Sequence, residues 1–324
     1  MTPPLVLITR PVPGSPDIPG AEIRTGPAEG FAGADDLSAW LRAQGAPRAV
    51  VTMFHDPVDD AFLDAAGDQL AGVVNFAVGY DNIDTAACAA RHVRVCNTPD
   101  AVTEGTADLA WALILACARR LTETGRYVRS GAFTSGGPLG MGDFLGQDLA
   151  GRTLLIVGAG RIGYATALRS LGWGMNVLYV ARSRHLDFEF APLNAERVEL
   201  DEGLRRADVV SVHTPLTPDT RHLINADRLA LMKERAIIVN TSRGPTIDEA
   251  ALVRALQDHR IFAAGLDVFE HEPALTPGLA ELDNAVLTPH IGSGAGRYRE
   301  LMTEIVSANV RALIQGEEPP NRVV

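Results

Sequence analysis

The sequence predicts an α/β protein built from two doubly wound parallel-sheet domains. Three observations carry that expectation. Short apolar runs alternate with helical stretches along the chain, the pattern of parallel strands covered on both faces. A glycine turn, VGAGRIG at Val157–Gly163, sits where an apolar run ends and a helical stretch begins. The length, 324 residues, suits about two domains.

Taken in order, Leu5–Thr9 (LVLIT) is the first strand, and the prolines and glycines of Pro11–Gly33 break any long helix after it. Ala49–Thr52 and Val73–Phe76 are further strands, with helices over Asp35–Ala43 and Asp59–Ala66. This first unit ends near Asn97-Thr98-Pro99. One long amphipathic helix is expected from Thr103 to Ser130, because Ala110, Leu113, Ile114, Cys117 and Leu121 recur on one helical face. Gly131–Gly146 reads as loop. A second unit opens at Thr153 with TLLIV, followed by strands at Val177–Val180, Val209–Val212, Ala236–Asn240, Ala263–Leu266 and Val286–Leu287. Helical pieces at Ala226–Met232 and Asp248–Gln257 separate several of them. Arg297–Ile314 is a last amphipathic helix, and Gly316–Val324 reads as surface.

The glycine turn has a chemical reading. Gly158 permits the tight turn, Gly160 lets the backbone approach a pyrophosphate, and Gly163 lets the helix lie close to the strand. The first residues of that helix, Arg161 and Ile162 among them, present free N–H groups to the phosphates. The plainer alternative is an ordinary tight turn.

Composition narrows the rest. Lys plus Arg number 29 against 40 for Asp plus Glu, a net charge of −11, which argues against a general binder of nucleic acid or anionic membrane. Cys88, Cys96 and Cys117 show no metal or redox spacing, so no metal site is expected and reduced cytoplasmic thiols are. No secretion signal and no apolar run of membrane-spanning length is read.

Three polar residues follow the ends of later strands, where open α/β sheets bind ligands. Arg243 lies in NTSRGP, Glu272 in LDVFEHEP and His290 in LTPH. A guanidinium grips a carboxylate through two parallel hydrogen bonds. An imidazolium gives its proton to a carbonyl oxygen as hydride reaches the carbon. A carboxylate beside that ring orients it and favours its charged form. Each residue also has a plain alternative: a surface ion pair, a solvated acid, a histidine satisfied under a turn.

An ordered series of motifs spans nearly the whole chain: AVGYDNID at Ala77–Asp84, NTP then TEGTAD within Asn97–Asp108, GAGRIG, HTPLTPDTRHLI at His213–Ile224, NTSRGPTID at Asn240–Asp248, LDVFEHEP at Leu266–Pro273 and LTPHIGS at Leu287–Ser293. In these the chain resembles the D-isomer-specific 2-hydroxyacid dehydrogenase family, most of all its glyoxylate/hydroxypyruvate reductase branch. The resemblance implies a Rossmann cofactor domain, residues 100–292, inserted into a flavodoxin-like substrate domain made of residues 1–99 and 293–324. It implies a homodimer and a small 2-oxo acid as substrate. It implies Arg243 as substrate-binding residue, His290 as the acid/base and Glu272 as the glutamate supporting His290. It places the amides of Val78 and Gly79 near the substrate carboxylate, Asp267 near the nicotinamide carboxamide and Thr106 facing the cofactor. Asp267 as a helix or turn cap is the alternative. The candidate cofactor set takes in His213, Pro215, Thr241 and Gly292 from the same motifs.

Phosphite-oxidising relatives carry lysine where this chain has Val78. Alternatives to a reductase of this kind are another dehydrogenase of the family, D-lactate-like or acting on phosphoglycerate, and a cofactor-sensing corepressor-like binding protein. On cofactor choice, an NAD site carries Asp or Glu at the end of the second strand, about 20 residues past the glycines. Here that position is Ala181, followed by Arg182-Ser183-Arg184. The expectation is NADPH in preference to NADH, with Arg182 stacking on adenine and pairing with the 2′-phosphate, Ser183 donating a hydrogen bond and Arg184 adding charge. The alternative is a solvated arginine loop and an enzyme that takes either cofactor.

Overall fold

A computed structural model describes residues 2–324. The chain divides into two compact units, one of the segments up to Val102 and from Ser293 to Val324, the other of Thr103–Gly292.

The first unit contains β1 (Leu5–Ile8), β2 (Glu22–Thr25), α1 (Ala34–Gln44), β3 (Ala49–Thr52), α2 (Asp60–Ala66), β4 (Gly72–Asn75), α3 (Thr85–Ala90) and β5 (Arg94–Cys96). Its sheet is wholly parallel in the order β2-β1-β3-β4-β5, the flavodoxin-like order. The middle strands AVVT and GVVN are buried at every residue, as continuous apolar runs covered on both faces require. Asp59 and Asp84 cap α2 and α3 by accepting from backbone N–H groups of their first turns.

The second unit runs α4 (Thr103–Ala118), α5 (Leu121–Arg129), α6 (Ala132–Gly136), β6 (Thr153–Val157), α7 (Arg161–Arg169), β7 (Asn176–Val180), α8 (Leu186–Glu189), β8 (Glu196–Arg197), α9 (Leu200–Arg206), β9 (Val209–Val212), α10 (Ala226–Leu229), β10 (Ile237–Asn240), α11 (Glu249–Gln257), β11 (Ala263–Leu266) and β12 (Ala285–Leu287). Its seven strands are parallel in the order β12-β11-β10-β9-β6-β7-β8, the Rossmann order with one extra strand. The strand order reverses between β6 and β9, so the chain leaving those two strands opens the crevice where such sheets bind ligands. The last helix, α12 (Gly296–Gln315), belongs to the first unit and packs on β3 and β4.

Four expectations need correction. The single helix over Thr103–Ser130 is two helices. Arg120 adopts the left-handed φ of 52°, and Leu121, expected on the buried face, is exposed, so the apolar face ends at Cys117. Gly146 returns against the end of α4, where Gln147 donates its N–H to the Ala118 carbonyl (2.8 Å) and gives that helix terminus its partner. Secondly, the Pro- and Gly-rich Pro11–Gly33 holds β2, and the later strands include β5 and β8. Edge strands of two to four residues carry charged side chains and no apolar run to announce them. Thirdly, the loop read over Gly131–Gly146 contains the short helix α6. Fourthly, the tail is paired. Val323 donates to the Val95 carbonyl (2.7 Å), Val95 donates to Val324 (3.1 Å), and Asn309 and Asn321 exchange hydrogen bonds. The tail therefore covers the free edge of β5.

Candidate active site

The glycine turn has the geometry its spacing implies. Gly158 lies at φ 105°, and a Cβ there would stand 2.8 Å from the His213 carbonyl carbon. A Cβ on Gly163 would stand 2.3 Å from the Gly158 oxygen, so α7 can lie this close to β6 only without one. A Cβ on Gly160 would meet nothing within 4 Å, so this residue faces open space at the helix start. The cap residue of α7 is Gly160, which has no side chain to bond the first-turn N–H groups.

Buried polar atoms gather beside this turn. The His213 ring bonds Ser211 Oγ through Nε2 (2.8 Å), while its Nδ1 is shielded and has no partner among the described residues. Burial pushes His213 down to about 3, so the ring is neutral. The hydroxyls of Thr214 and Thr241 are likewise buried and unbonded among the described residues. Orphaned groups of this kind are costly unless a ligand satisfies them. Lying just past β9 and β10, they fit a ribose and amide-bearing cofactor. Pro215 is exposed next to them. Thr106 lies buried in the first turn of α4, and a Cβ on Gly292 would come within 3.2 Å of its hydroxyl oxygen and 3.3 Å of Asp267.

His290, Glu272 and Arg243 are brought to the C-terminal edge of the same sheet. His290 Nδ1 and Glu272 Oε2 are 2.8 Å apart, and the other carboxylate oxygen accepts from the Phe269 N–H (2.9 Å). Burial alone would raise the Glu272 carboxyl, but the hydrogen bond and charge of His290, the Phe269 N–H and the charge of Arg243 hold it below its usual value. His290 occupies the left-handed region at φ 53°, a conformation that costs a non-glycine residue roughly 1–3 kcal/mol. Asp267 offsets that cost. Its carboxylate, 1% exposed, accepts from Thr288 Oγ1 (2.7 Å) and from the Ile291 and Gly292 N–H groups (both 2.8 Å). Burial raises Asp267 against those bonds. Asp267 is thus engaged as the cap of the His290 turn. Arg243 follows β10, its carbonyl held by Asn240 Nδ2 (2.9 Å) and Thr246 Oγ1 (2.7 Å).

In the first unit, Val78 and Gly79 lie in a loop whose carbonyls are all committed inward. Ala77 accepts from the Thr98 N–H (2.9 Å), Val78 from Asn97 Nδ2 (2.7 Å) and Gly79 from Asn75 Nδ2 (2.8 Å). A planar trans peptide sets each N–H opposite the preceding carbonyl, so the amides of Val78 and Gly79 point away from these partners. Sequence reasoning did not single out Asn75 and Asn97. Their signal is two side-chain amides bracketing AVGYDN, a pattern suited to holding carbonyls.

The loop after β7 differs from expectation in one residue. Arg182 and Ser183 are exposed, but Arg184 is engaged by Glu189, with Nε 3.0 Å from the carboxylate. Glu189 also accepts from the Tyr179 hydroxyl (2.6 Å) and is held down to about 2 by Arg184 and Tyr179. Arg184 therefore adds no net charge there. The three thiols are free and buried, and burial raises each of them, which makes none a nucleophile.

Glu272→Gln should leave the fold intact and shift the pH–rate profile for reduction. A carboxylate beside the imidazole favours its protonated form, so its loss should make activity fall away at lower pH than in the parent. A superimposable profile would remove Glu272 from the proton-holding pair.

Residues 111–292 match the family described as D-isomer specific 2-hydroxyacid dehydrogenase, NAD binding domain. A glyoxylate reductase of Thermococcus onnurineus is 49% identical over 279 residues, which cover 85% of this chain and 82% of that protein. Among solved structures, an NADPH-dependent glyoxylate/hydroxypyruvate reductase of Sinorhizobium meliloti, in complex with NADP and malonate, superposes with a TM-score of 0.85 at 31% identity, over 99% of this chain and 97% of its own. A D-mandelate dehydrogenase of Rhodotorula graminis gives a TM-score of 0.85 at 28% identity, over 100% of this chain and 98% of its own. With the glycine turn, the Rossmann sheet and the His290–Glu272 pair already in place, these likenesses make the chain a member of the D-isomer-specific 2-hydroxyacid dehydrogenase family, in its glyoxylate reductase branch, and an NAD(P)-dependent oxidoreductase.

Proposed function

We propose that this enzyme reduces glyoxylate, hydroxypyruvate or a similar small 2-oxo acid to the D-2-hydroxy acid, with NADPH preferred over NADH. The observation that carries the reading is the His290–Glu272 hydrogen bond at the edge of the sheet that bears the glycine turn. The reduced nicotinamide supplies the hydride. Arg243 holds the substrate carboxylate, joined by the amides of Val78 and Gly79. Glu272 occupies Nδ1 of His290, so the proton given to the carbonyl oxygen is carried on Nε2. The amides of α7, the orphaned atoms of His213, Thr214 and Thr241, and Thr106 would hold the cofactor. In this reading residues 1–99 and 293–324 form the substrate domain and 100–292 the cofactor domain.

NADPH preference rests on Ala181, which leaves no carboxylate at the adenosine ribose to repel a 2′-phosphate. The test is NADPH and NADH oxidation with a panel of 2-oxo acids, in the parent and in Arg182→Ala. The parent should have the higher kcat/KM with NADPH, and the variant should lose chiefly on NADPH. A parent that prefers NADH, or a variant weakened equally on both, would sink the cofactor assignment. No turnover of any 2-oxo acid would sink the reductase reading and leave the corepressor-like one. Glyoxylate yields achiral glycolate, so the D-configuration is read from the product of hydroxypyruvate.

We further read the protein as a cytoplasmic homodimer. The free buried thiols support the compartment. The exposed Leu121, Val128, Phe133, Met141 and Leu145 support a second copy, whose presence light scattering would reveal.

A further inference from the structure

We propose that Arg197, a residue of the edge strand β8, is the positioning residue that makes the loop after β7 a seat for the 2′-phosphate; this rests on the NADPH reading above.

The loop Ala181–His185 carries two arginines, and they differ in what they can offer an anion. Arg184 is neutralised by Glu189, itself tied to Tyr179. Arg182 is exposed, with no ion pair among the described residues. The third guanidinium comes from outside the loop. Arg197 stands opposite Tyr179 in the β7–β8 register. Its Nε and Nη2 both donate to the Ala181 carbonyl (3.1 and 2.8 Å), and Nη2 also reaches the Arg182 carbonyl (3.3 Å). Both acceptors are neutral, and Arg197 has no ion-pair partner among the described residues. Its charge acts on Glu189 only through space, where Arg184 is bonded directly to that carboxylate.

The clamp has a directional consequence. Two successive carbonyls turn toward one guanidinium, so the N–H groups that follow them, of Arg182 and Ser183, turn away from it. Successive amides facing one side form an anion-binding concavity. Arg197 thereby aims two amides and sets its own charge behind them, while Arg182 and Ser183 bring a guanidinium and a hydroxyl from the exposed side. β8 is only two residues long and contributes little as a strand. On this account its place in the sheet serves to hold the Arg197 side chain under the loop.

The experiment uses the whole enzyme and two adenosine fragments. Binding of 2′,5′-ADP and of 5′-AMP is measured by calorimetry in the parent, Arg197→Ala and Arg197→Lys, alongside KM for NADPH and NADH. Loss of a charge-assisted hydrogen-bonding group should weaken 2′,5′-ADP by about 10-fold or more in Arg197→Ala. Binding of 5′-AMP and kcat with NADH should stay within about 2-fold, since neither involves a 2′-phosphate. Arg197→Lys keeps the charge without the planar fork and should recover part of the loss. Equal weakening of both fragments would mean that Arg197 merely supports the edge strand, and unchanged 2′,5′-ADP binding would mean it plays no part; either result overturns the inference while NADPH preference stands. A parent that binds 2′,5′-ADP no more tightly than 5′-AMP overturns the NADPH reading itself and this inference with it.

Discussion

His290→Ala is expected to lower turnover in reduction by roughly 10²–10⁴-fold, the usual worth of a positioned general acid. Cofactor affinity should be nearly unchanged. The glycine turn, the α7 amides and the orphaned atoms past β9 and β10 are built by other residues. The structure supports a large effect because so much of it is directed at this one ring. Asp267 holds the backbone turn through three hydrogen bonds, and Glu272 holds Nδ1. Alanine leaves that scaffold standing and removes only the ring proposed to carry the proton. Single-turnover rates, with NADPH binding followed by fluorescence, separate the two quantities. Near-normal turnover in the folded variant would take His290 out of the mechanism.

Arg243→Lys is expected to lower kcat/KM for glyoxylate by roughly 10–100-fold, the loss of about one charge-assisted hydrogen bond. The backbone at Arg243 is pinned by Asn240 and Thr246. The next residue is pressed against the loop that leads to Glu272, since a Cβ on Gly244 would stand 1.9 Å from the Phe269 carbonyl carbon. A lysine ammonium on this fixed backbone is a point charge that cannot present two parallel N–H groups to a carboxylate. Steady-state kinetics with varied glyoxylate at saturating NADPH gives the number. An unchanged kcat/KM would refute the carboxylate assignment.

What the sequence disclosed follows from where its physics is local. Strands buried on both faces declare themselves as AVVT, GVVN or TLLIV, and the glycine turn states its backbone needs in its own spacing. Edge strands lack that signature: EIRT is exposed along its whole length and sits among prolines and glycines. The break at Arg120 was illegible because neither Pro nor Gly marks it; the chain at Gly146–Gln147, distant in sequence, supplies the partner that ends the helix. The site divides the same way. Arg243, Glu272 and His290 each follow a strand end; each alone has a plain alternative, and the three together behind the glycine turn point to a site. That Asp267 caps the His290 turn, that Glu189 takes up Arg184, and that Arg197 reaches back to Ala181 are tertiary pairings, and no local pattern announces them.

The discontinuous first unit also sets an order of events during synthesis. Thr103–Gly292 is one uninterrupted segment with its own cores and all seven strands of its sheet, so it can fold as soon as it has left the ribosome. The earlier segment has all five of its strands made by Cys96 yet lacks α12, whose Val306, Val310 and Leu313 are buried in the finished unit. Until roughly two hundred further residues have been added, one face of β3 and β4 has no cover and the outer edge of β5 no partner. During that interval the nascent chain carries an uncovered sheet face at its oldest end.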